Sequence, residues 1–156
     1  MYIQEILANL RTSLEKLKLA GKSTNEGNFL KNEGVFQIFR ALESQDMLEK
    51  VNLSDNQFGE CDDVPVIDKI CEVMIKNTSL GAYKLKHNGL FDAGTAIIVA
   101  AKRFLECIRS GKHVYVFELS EHISADLAVD IKKSMKKNKP KKKKKDKKGK
   151  KGKKKK

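Results

Sequence analysis

The chain has 156 residues, with 33 Lys and Arg against 20 Asp and Glu, and a formal net charge of +13 at pH 7. A charge of that size would ordinarily suggest a protein that is basic throughout and binds nucleic acid. Its distribution excludes that interpretation, because Lys136 to Lys156 holds 16 Lys and one Asp. Residues 1–135 therefore keep 17 of the basic and 19 of the acidic side chains. A near-neutral body carries a polycationic tail, and the two need separate interpretations.

The body has the size of a single domain that can bury about two-thirds of its unfolded surface. Its three cysteines, Cys61, Cys71 and Cys107, are odd in number and show no metal-ligand spacing. We therefore expect reduced core thiols rather than a disulfide framework or a zinc site. The first residues lack the features of a signal peptide, and no apolar stretch approaches the ~18 residues of a membrane span. These features predict a protein of the cytosol, the nucleus or both.

A repeat runs through the body in chain order. Four segments have apolar residues at their first, fourth and sixth positions, namely 14–19, 48–53, 80–85 and 114–119. Their first residues are 34, 32 and 34 positions apart. Each segment predicts a short strand that turns its apolar side chains toward a core.

The stretches between these strands have the apolar periodicity of helices. After the first strand, for example, Val35, Ile38, Phe39 and Leu42 fall on one helical face. Residues 2–10 predict one more amphipathic helix, which would cover the N-terminal end of the array. The predicted fold is α/β, a short solenoid of about four units with parallel strands on its concave side and helices on its convex side.

The two middle units add an Asn three residues after the strand, Asn56 and Asn88, and so complete the pattern LxxLxLxxNxL. This pattern is the signature of leucine-rich repeats. The Asn amide is expected to bond turn backbone that would otherwise be buried without partners, which makes these two residues a structural ladder. Residues 1–135 are thus predicted to be a leucine-rich-repeat domain.

A period of 32–34 residues with a full helix in each unit resembles the ribonuclease-inhibitor type of leucine-rich repeat. The second unit contains the run Leu53-Ser54-Asp55-Asn56-Gln57-Phe58-Gly59, which is similar to a run in early repeats of Ran GTPase-activating proteins. The resemblance implies a regulator of the small GTPase Ran in nuclear transport. Family members hold an Asn where this chain has His87, so the resemblance also implies that full catalytic contacts are lacking.

Residues that flank the apolar strand positions predict a partner-binding face, because they point away from the core. The candidate contact residues are Lys50, Asn52, Asp55, Lys84, Lys86 and His87. Such a charged surface suits a protein partner of complementary charge, of which a Ran-type GTPase is one, although a merely solvated face is the alternative. No motif of a nucleotide, metal or nucleophile site is present, so we expect no catalytic residue, no metal and no cofactor. At most, the chain would be a GTPase activator.

The tail, Lys136–Lys156, contains no apolar residue and is predicted to be disordered. Dense lysines neutralise phosphates without reading a sequence. The alternative function is therefore a generic repeat scaffold that the tail tethers to RNA, DNA or another polyanion. The run 139–145 is also typical of a nuclear localisation signal, and a role in solubility alone stays open.

Overall fold

A computed structural model describes residues 15–21, 28–59, 64–89, 94–119 and 123–140. Strands and helices alternate through these ranges. Their bounds are β1 (Lys16–Lys18), α1 (Lys31–Leu42), β2 (Lys50–Asn52), α2 (Val64–Lys76), β3 (Ala82–Lys84), α3 (Gly94–Gly111), β4 (Val116–Glu118) and α4 (Ala125–Asn138). The helix predicted at 2–10 lies outside the described residues.

The four strands form one parallel sheet in the order β1-β2-β3-β4. Its register places Leu17, Val51, Tyr83 and Phe117 side by side, one residue from each strand. Each strand has three residues, although backbone bonds continue the ladder, as from Leu19 N to Asn52 O at 2.9 Å. The α/β class is confirmed, with four parallel strands and four helices in the described part of the chain.

The core lies between the sheet and the helices, and the repeated apolar positions supply it. Val51 and Tyr83 on the strands are fully buried, as are Phe39 on α1 and Phe104 on α3. Tyr83 stacks on Phe39 at 6.3 Å between ring centroids, and Phe117 lies 6.2 Å from Tyr83 on the other side. Full burial of each such side chain contributes about 1.5–3 kcal/mol. An apolar row that crosses every strand therefore fixes both the order of the units and their register.

Two asparagines join neighbouring turns beyond the strands. The Asn56 amide donates to the carbonyl oxygens of Leu19 at 2.8 Å and Leu53 at 3.1 Å. The Asn88 amide donates to the carbonyls of Leu53 and Leu85, each at 3.0 Å, and its side-chain oxygen accepts the Asn56 backbone N–H at 2.8 Å. Each of these buried amides satisfies backbone groups of its own unit and of a neighbouring unit.

Two further asparagines do similar work where helices end. Asn77, just after α2, donates to the carbonyls of Leu42 and Gln45, each at 2.7 Å. Asn138, the last residue of α4, donates to Ile108 O at 2.9 Å and Val114 O at 3.0 Å. The last helix therefore extends three residues past the boundary at 135 that composition suggested, because this amide anchors its final turn to the preceding unit.

Candidate protein-binding surface

One face of the sheet is turned away from the helices, and alternation along the strands defines its residues. We call this surface the strand face. It consists of Lys16, Lys18, Ala20, Lys50, Asn52, Ser54, Ala82, Lys84, Lys86, Val116 and Glu118. The lysines of β1, β2 and β3 are exposed, whereas Ala82 is buried beneath its neighbours.

Charge is unevenly distributed over the strand face. It carries five lysines and a single glutamate, although residues 1–135 as a whole hold slightly more acidic than basic side chains. Because neighbouring parallel strands lie about 4.8 Å apart, the register places Lys16 directly beside Lys50. Within the described ranges, no carboxylate lies within 4 Å of the ammonium group of Lys16, Lys18 or Lys50.

Glu118 neutralises part of this charge at the β4 edge. Its carboxylate lies 2.9 Å from Lys84 Nζ and 4.0 Å from Lys86 Nζ. All three side chains are between one-third and one-half exposed, so solvent screens the pairs and each is worth less than about 1 kcal/mol. The remaining positive charge is concentrated on β1 and β2.

The structure brings four of the six candidate contact residues onto the strand face, namely Lys50, Asn52, Lys84 and Lys86. Asp55 and His87 instead lie in the turns that follow β2 and β3, where both have left-handed backbone angles, with φ of 59° and 53°. Their positions are equivalent in the two units. Both side chains therefore stand at the carboxyl end of the strands, at the rim of the face rather than on it.

Sequence reasoning missed the contact that organises this surface. Alternation along β4 makes Glu118 an outward residue, and its carboxylate reaches Lys84 on the preceding strand. The register sets Lys84 opposite Glu118. Both residues are the fifth of their repeated segments, so a comparison of charges at equal positions of successive units was the available signal.

An apolar groove adjoins the strand face at the β4 end of the sheet. It has a volume of about 430 Å³ and lies between β4 and α4. Its apolar lining is Phe117, Leu119, Ile123, Ala128, Ile131 and Met135, with Lys86, Glu118 and Lys132 at its margins. In the described sheet no further strand covers the free edge of β4.

The helical side carries ion pairs of its own. Lys69 lies 2.6 Å from both Glu43 and Glu72, and Lys76 pairs with Glu72 from the next turn of α2. Hydrogen bonds from these two ammonium groups lower the pKa of Glu72 to about 2. The network links α1 to α2 and includes a lysine over the Phe36 ring at 5.7 Å. Its arrangement serves the packing of helices and offers no reactive group.

The buried thiols Cys71 and Cys107 meet between α2 and α3. A hydrogen bond between them, together with burial, raises the pKa of Cys71, which keeps this thiol protonated. Among the described residues there is no group of three His, Cys, Asp or Glu side chains that could hold a metal ion. The helices described are also too short or too polar to cross a membrane.

No family model matches the chain, and no curated protein matches it. Solved structures do. Leiomodin-1 actin-binding site 2 is similar with a TM-score of 0.54 and 12% identity, covering 86% of each chain. The tropomodulin C-terminal domain of Caenorhabditis elegans has a TM-score of 0.55 and 11% identity, covering 86% of this chain and 90% of that one. At such low identity the likeness concerns the fold alone.

These comparisons overturn the predicted membership of the Ran GTPase-activating type of leucine-rich repeat. The predictions of GTPase regulation, of a Ran-type partner and of a role in nuclear transport are therefore wrong, since the similar structures are of leiomodin and tropomodulin. The generic scaffold with a tail that binds polyanions has no support from them either.

Packing explains why the run at 53–59 was misleading. Leu53, Asn56 and Phe58 are fully buried, so packing of the core and of the turn determines which residue types stand there. Asp55 and Gln57, which lie between them, have left-handed backbone angles that serve the same turn. A run of this kind identifies how a unit folds and says little about which partner the unit binds.

Proposed function

We propose that this chain is a protein-binding module whose partner is actin or a protein of the actin type. The observation that carries the proposal is the likeness in fold to leiomodin-1 actin-binding site 2, which extends over 86% of both chains. The tropomodulin C-terminal domain, which is similar in fold with a comparable TM-score and coverage, supports the same proposal.

The finer description of the fold belongs to this proposal. The four strand–helix units would form a leucine-rich-repeat solenoid over residues 1–135, followed by a separate lysine tail. Three features support it: unit spacings of 32–34 residues, a single sheet in chain order, and equivalent amide bonds from Asn56 and Asn88. A solenoid of this kind presents its strand face as one continuous binding surface.

The strand face is the surface we propose for the partner. Lys50, Asn52, Lys84 and Lys86 would contact it directly, and the turn residues Asp55 and His87 would contact it at the rim. Lysine-rich surfaces contribute mainly to association rate and specificity when the partner has the opposite charge. A partner with an acidic surface therefore fits this face.

Co-sedimentation of the full chain with filamentous actin, together with fluorescence anisotropy on labelled monomeric actin, tests the proposal. Because a lysine tail attracts any acidic filament, a synthetic peptide of residues 139–156 serves as the control for binding by charge alone. We expect saturable binding of the chain at about 0.15 M salt, where the charge-only binding of the peptide is strongly reduced. Binding no stronger than that of the peptide, to either form of actin, would refute the proposal.

A matched pair of variants locates the contact. Lys18→Glu/Lys50→Glu reverses two charges on the strand face, whereas Lys102→Glu/Lys133→Glu reverses two exposed charges on α3 and α4. Both pairs change the net charge equally and leave the tail intact. Loss of binding with the first pair alone is expected if the strand face contacts actin.

A further inference from the structure

Among the described residues, Glu118 is the one acidic residue of the strand face, and its carboxylate lies near Lys84 on the neighbouring strand and Lys86 just after it. The outward positions of β1 and β2 offer Lys16, Lys18 and Lys50 with no acidic counterpart within the described residues. One part of the lysine surface is therefore already occupied by a carboxylate, and the other part has none.

The spacing of these lysines is that of a strand. Outward residues two positions apart on one strand lie about 7 Å apart, as Lys16 and Lys18 do, and so do alternate side chains of any extended peptide. Lys84 and Lys86 repeat this spacing two strands away. An extended segment with carboxylates at alternate positions would match the lysines along a strand.

We propose that Glu118 holds the place of a partner carboxylate, and that an acidic, extended protein segment binds across the lysines of the strand face by displacing it. This inference deepens the proposed function, because it names the chemistry of the segment that the module would take. Glu118 acts as an internal competitor: it keeps Lys84 and Lys86 partly neutralised until carboxylates of the partner replace it. The three lysines of β1 and β2 provide the first contact, since they need not exchange a partner.

A protein segment fits this surface better than a single-stranded nucleic acid does. Bases bind without sequence preference mainly by stacking on aromatic side chains. In the described sheet, the aromatic residues Tyr83 and Phe117 face the core, and the strand face carries no ring. Lysines without aromatic platforms favour carboxylates at fixed spacing.

The test is an NMR titration of the full chain with hexaglutamate at about 0.1 M salt, because amide shifts report where the peptide binds. Binding to the tail shifts signals of 139–156, whereas binding to the strand face shifts those of β1–β3. We expect saturable shifts on the strands. Shifts confined to the tail would overturn the proposal.

Variants of opposite expected effect make the test specific. Lys16→Gln/Lys18→Gln/Lys50→Gln should weaken the strand-face site about tenfold, since exposed pairs contribute up to about 1 kcal/mol each. Glu118→Gln should tighten it about threefold by freeing Lys84 and Lys86. The control Lys102→Gln/Lys112→Gln/Lys133→Gln changes three exposed lysines away from the strand face and should leave binding unchanged. Weaker or unaltered binding of the Glu118 variant would overturn the role of Glu118 as competitor.

Two further measurements separate the possible failures. A thymidine oligonucleotide of equal charge should shift only tail signals, and equal shifts on the strands would overturn the preference for protein. Actin binding that survives in the triple lysine variant, with no strand shifts by hexaglutamate, would overturn this inference and leave the proposed function standing. Strand shifts without any actin binding would refute the proposed function and support the lysine surface as a site for acidic segments.

Discussion

Replacement of Asn88 by Ala removes the buried amide that joins the second and third turns. The wild-type side chain donates to the carbonyls of Leu53, Leu85 and Lys86 at 3.0, 3.0 and 3.2 Å, and accepts the Asn56 N–H at 2.8 Å. A buried hydrogen bond contributes about 1 kcal/mol net, and a buried group left without a partner costs about 1–3 kcal/mol. Some of the freed groups will recruit water, so we expect a loss of about 3 kcal/mol in the free energy of unfolding.

Urea denaturation followed by circular dichroism measures this loss. With a dependence on urea of about 1.5 kcal/mol/M, the expected loss lowers the midpoint by about 2 M. Asn52→Ala is the matched control, because that half-buried side chain accepts a single bond, from Ser54 N at 3.1 Å. It should lose about 1 kcal/mol or less. An Asn88→Ala loss no greater than that of the control would refute the account of the amide as a junction between units.

Asn88→Asp separates the donors from the size of the side chain. The aspartate keeps the shape and the acceptor oxygen, but its carboxylate would face three carbonyl oxygens. At neutral pH this variant should be at least as unstable as Asn88→Ala, since a buried carboxylate that faces carbonyl oxygens and keeps only the Asn56 N–H as a donor is costly. Stability close to that of the wild type would contradict the assignment of the amide nitrogen as the donor.

Three other predictions concern the core and the helical surface. Gly81→Ala should lose about 2 kcal/mol by urea denaturation, because a Cβ there would collide with the Tyr115 ring and lie 2.8 Å from a backbone oxygen. Tyr83→Phe should leave the melting temperature unchanged or raise it by a few degrees, because the buried hydroxyl has no hydrogen-bond partner. Glu72→Gln should lower stability at neutral pH, because Lys69 and Lys76 depress the pKa of the Glu72 carboxyl in the folded state. The loss should disappear as the pH falls from 4.5 toward 2.

Controls accompany each of these variants. Gly34→Ala adds the same methyl group within α1, where the nearest atom, Leu30 Cβ, lies at 3.1 Å. Because Ala is also favoured over Gly inside a helix, its loss should be much smaller than that of Gly81→Ala. Tyr83→Leu should be destabilising because it removes the ring that stacks on Phe39. For Glu72, a difference from the wild type that stays constant between pH 6 and 2 would show that the carboxylate does not act through its charge.

The architecture was largely predictable because it repeats. Apolar residues recur at the same positions of each unit, as Val51, Tyr83 and Phe117 do, and burial of that row forces the strands into register. The stripe that begins at Val35 likewise predicted α1. Burial depends on local pattern, so a single sequence is sufficient to reveal it.

Contacts between units were not predictable in the same way. Asn77 and Asn138 donate to backbone carbonyls about 24–35 residues earlier in the chain. No periodic pattern of side chains predicts which carbonyl such an asparagine contacts. The Lys84–Glu118 pair depends equally on register. The family resemblance failed for a related reason, since Leu53 and Phe58 are buried and meet the packing needs of the unit, so they carry no information about its partner.

The asparagine amides also determine how this architecture can change in length. The Asn88 side chain accepts the Asn56 N–H and donates to Leu53 O and Leu85 O, so the second unit presents the third with groups that complement its asparagine. A duplicated copy of residues 48–79 would meet the same carbonyls and the same N–H as the original. Insertion of only part of a unit would place these carbonyls and this N–H opposite side chains that cannot form the same hydrogen bonds. The array is thus built to grow by whole modules, and its length is quantised in steps of 32–34 residues.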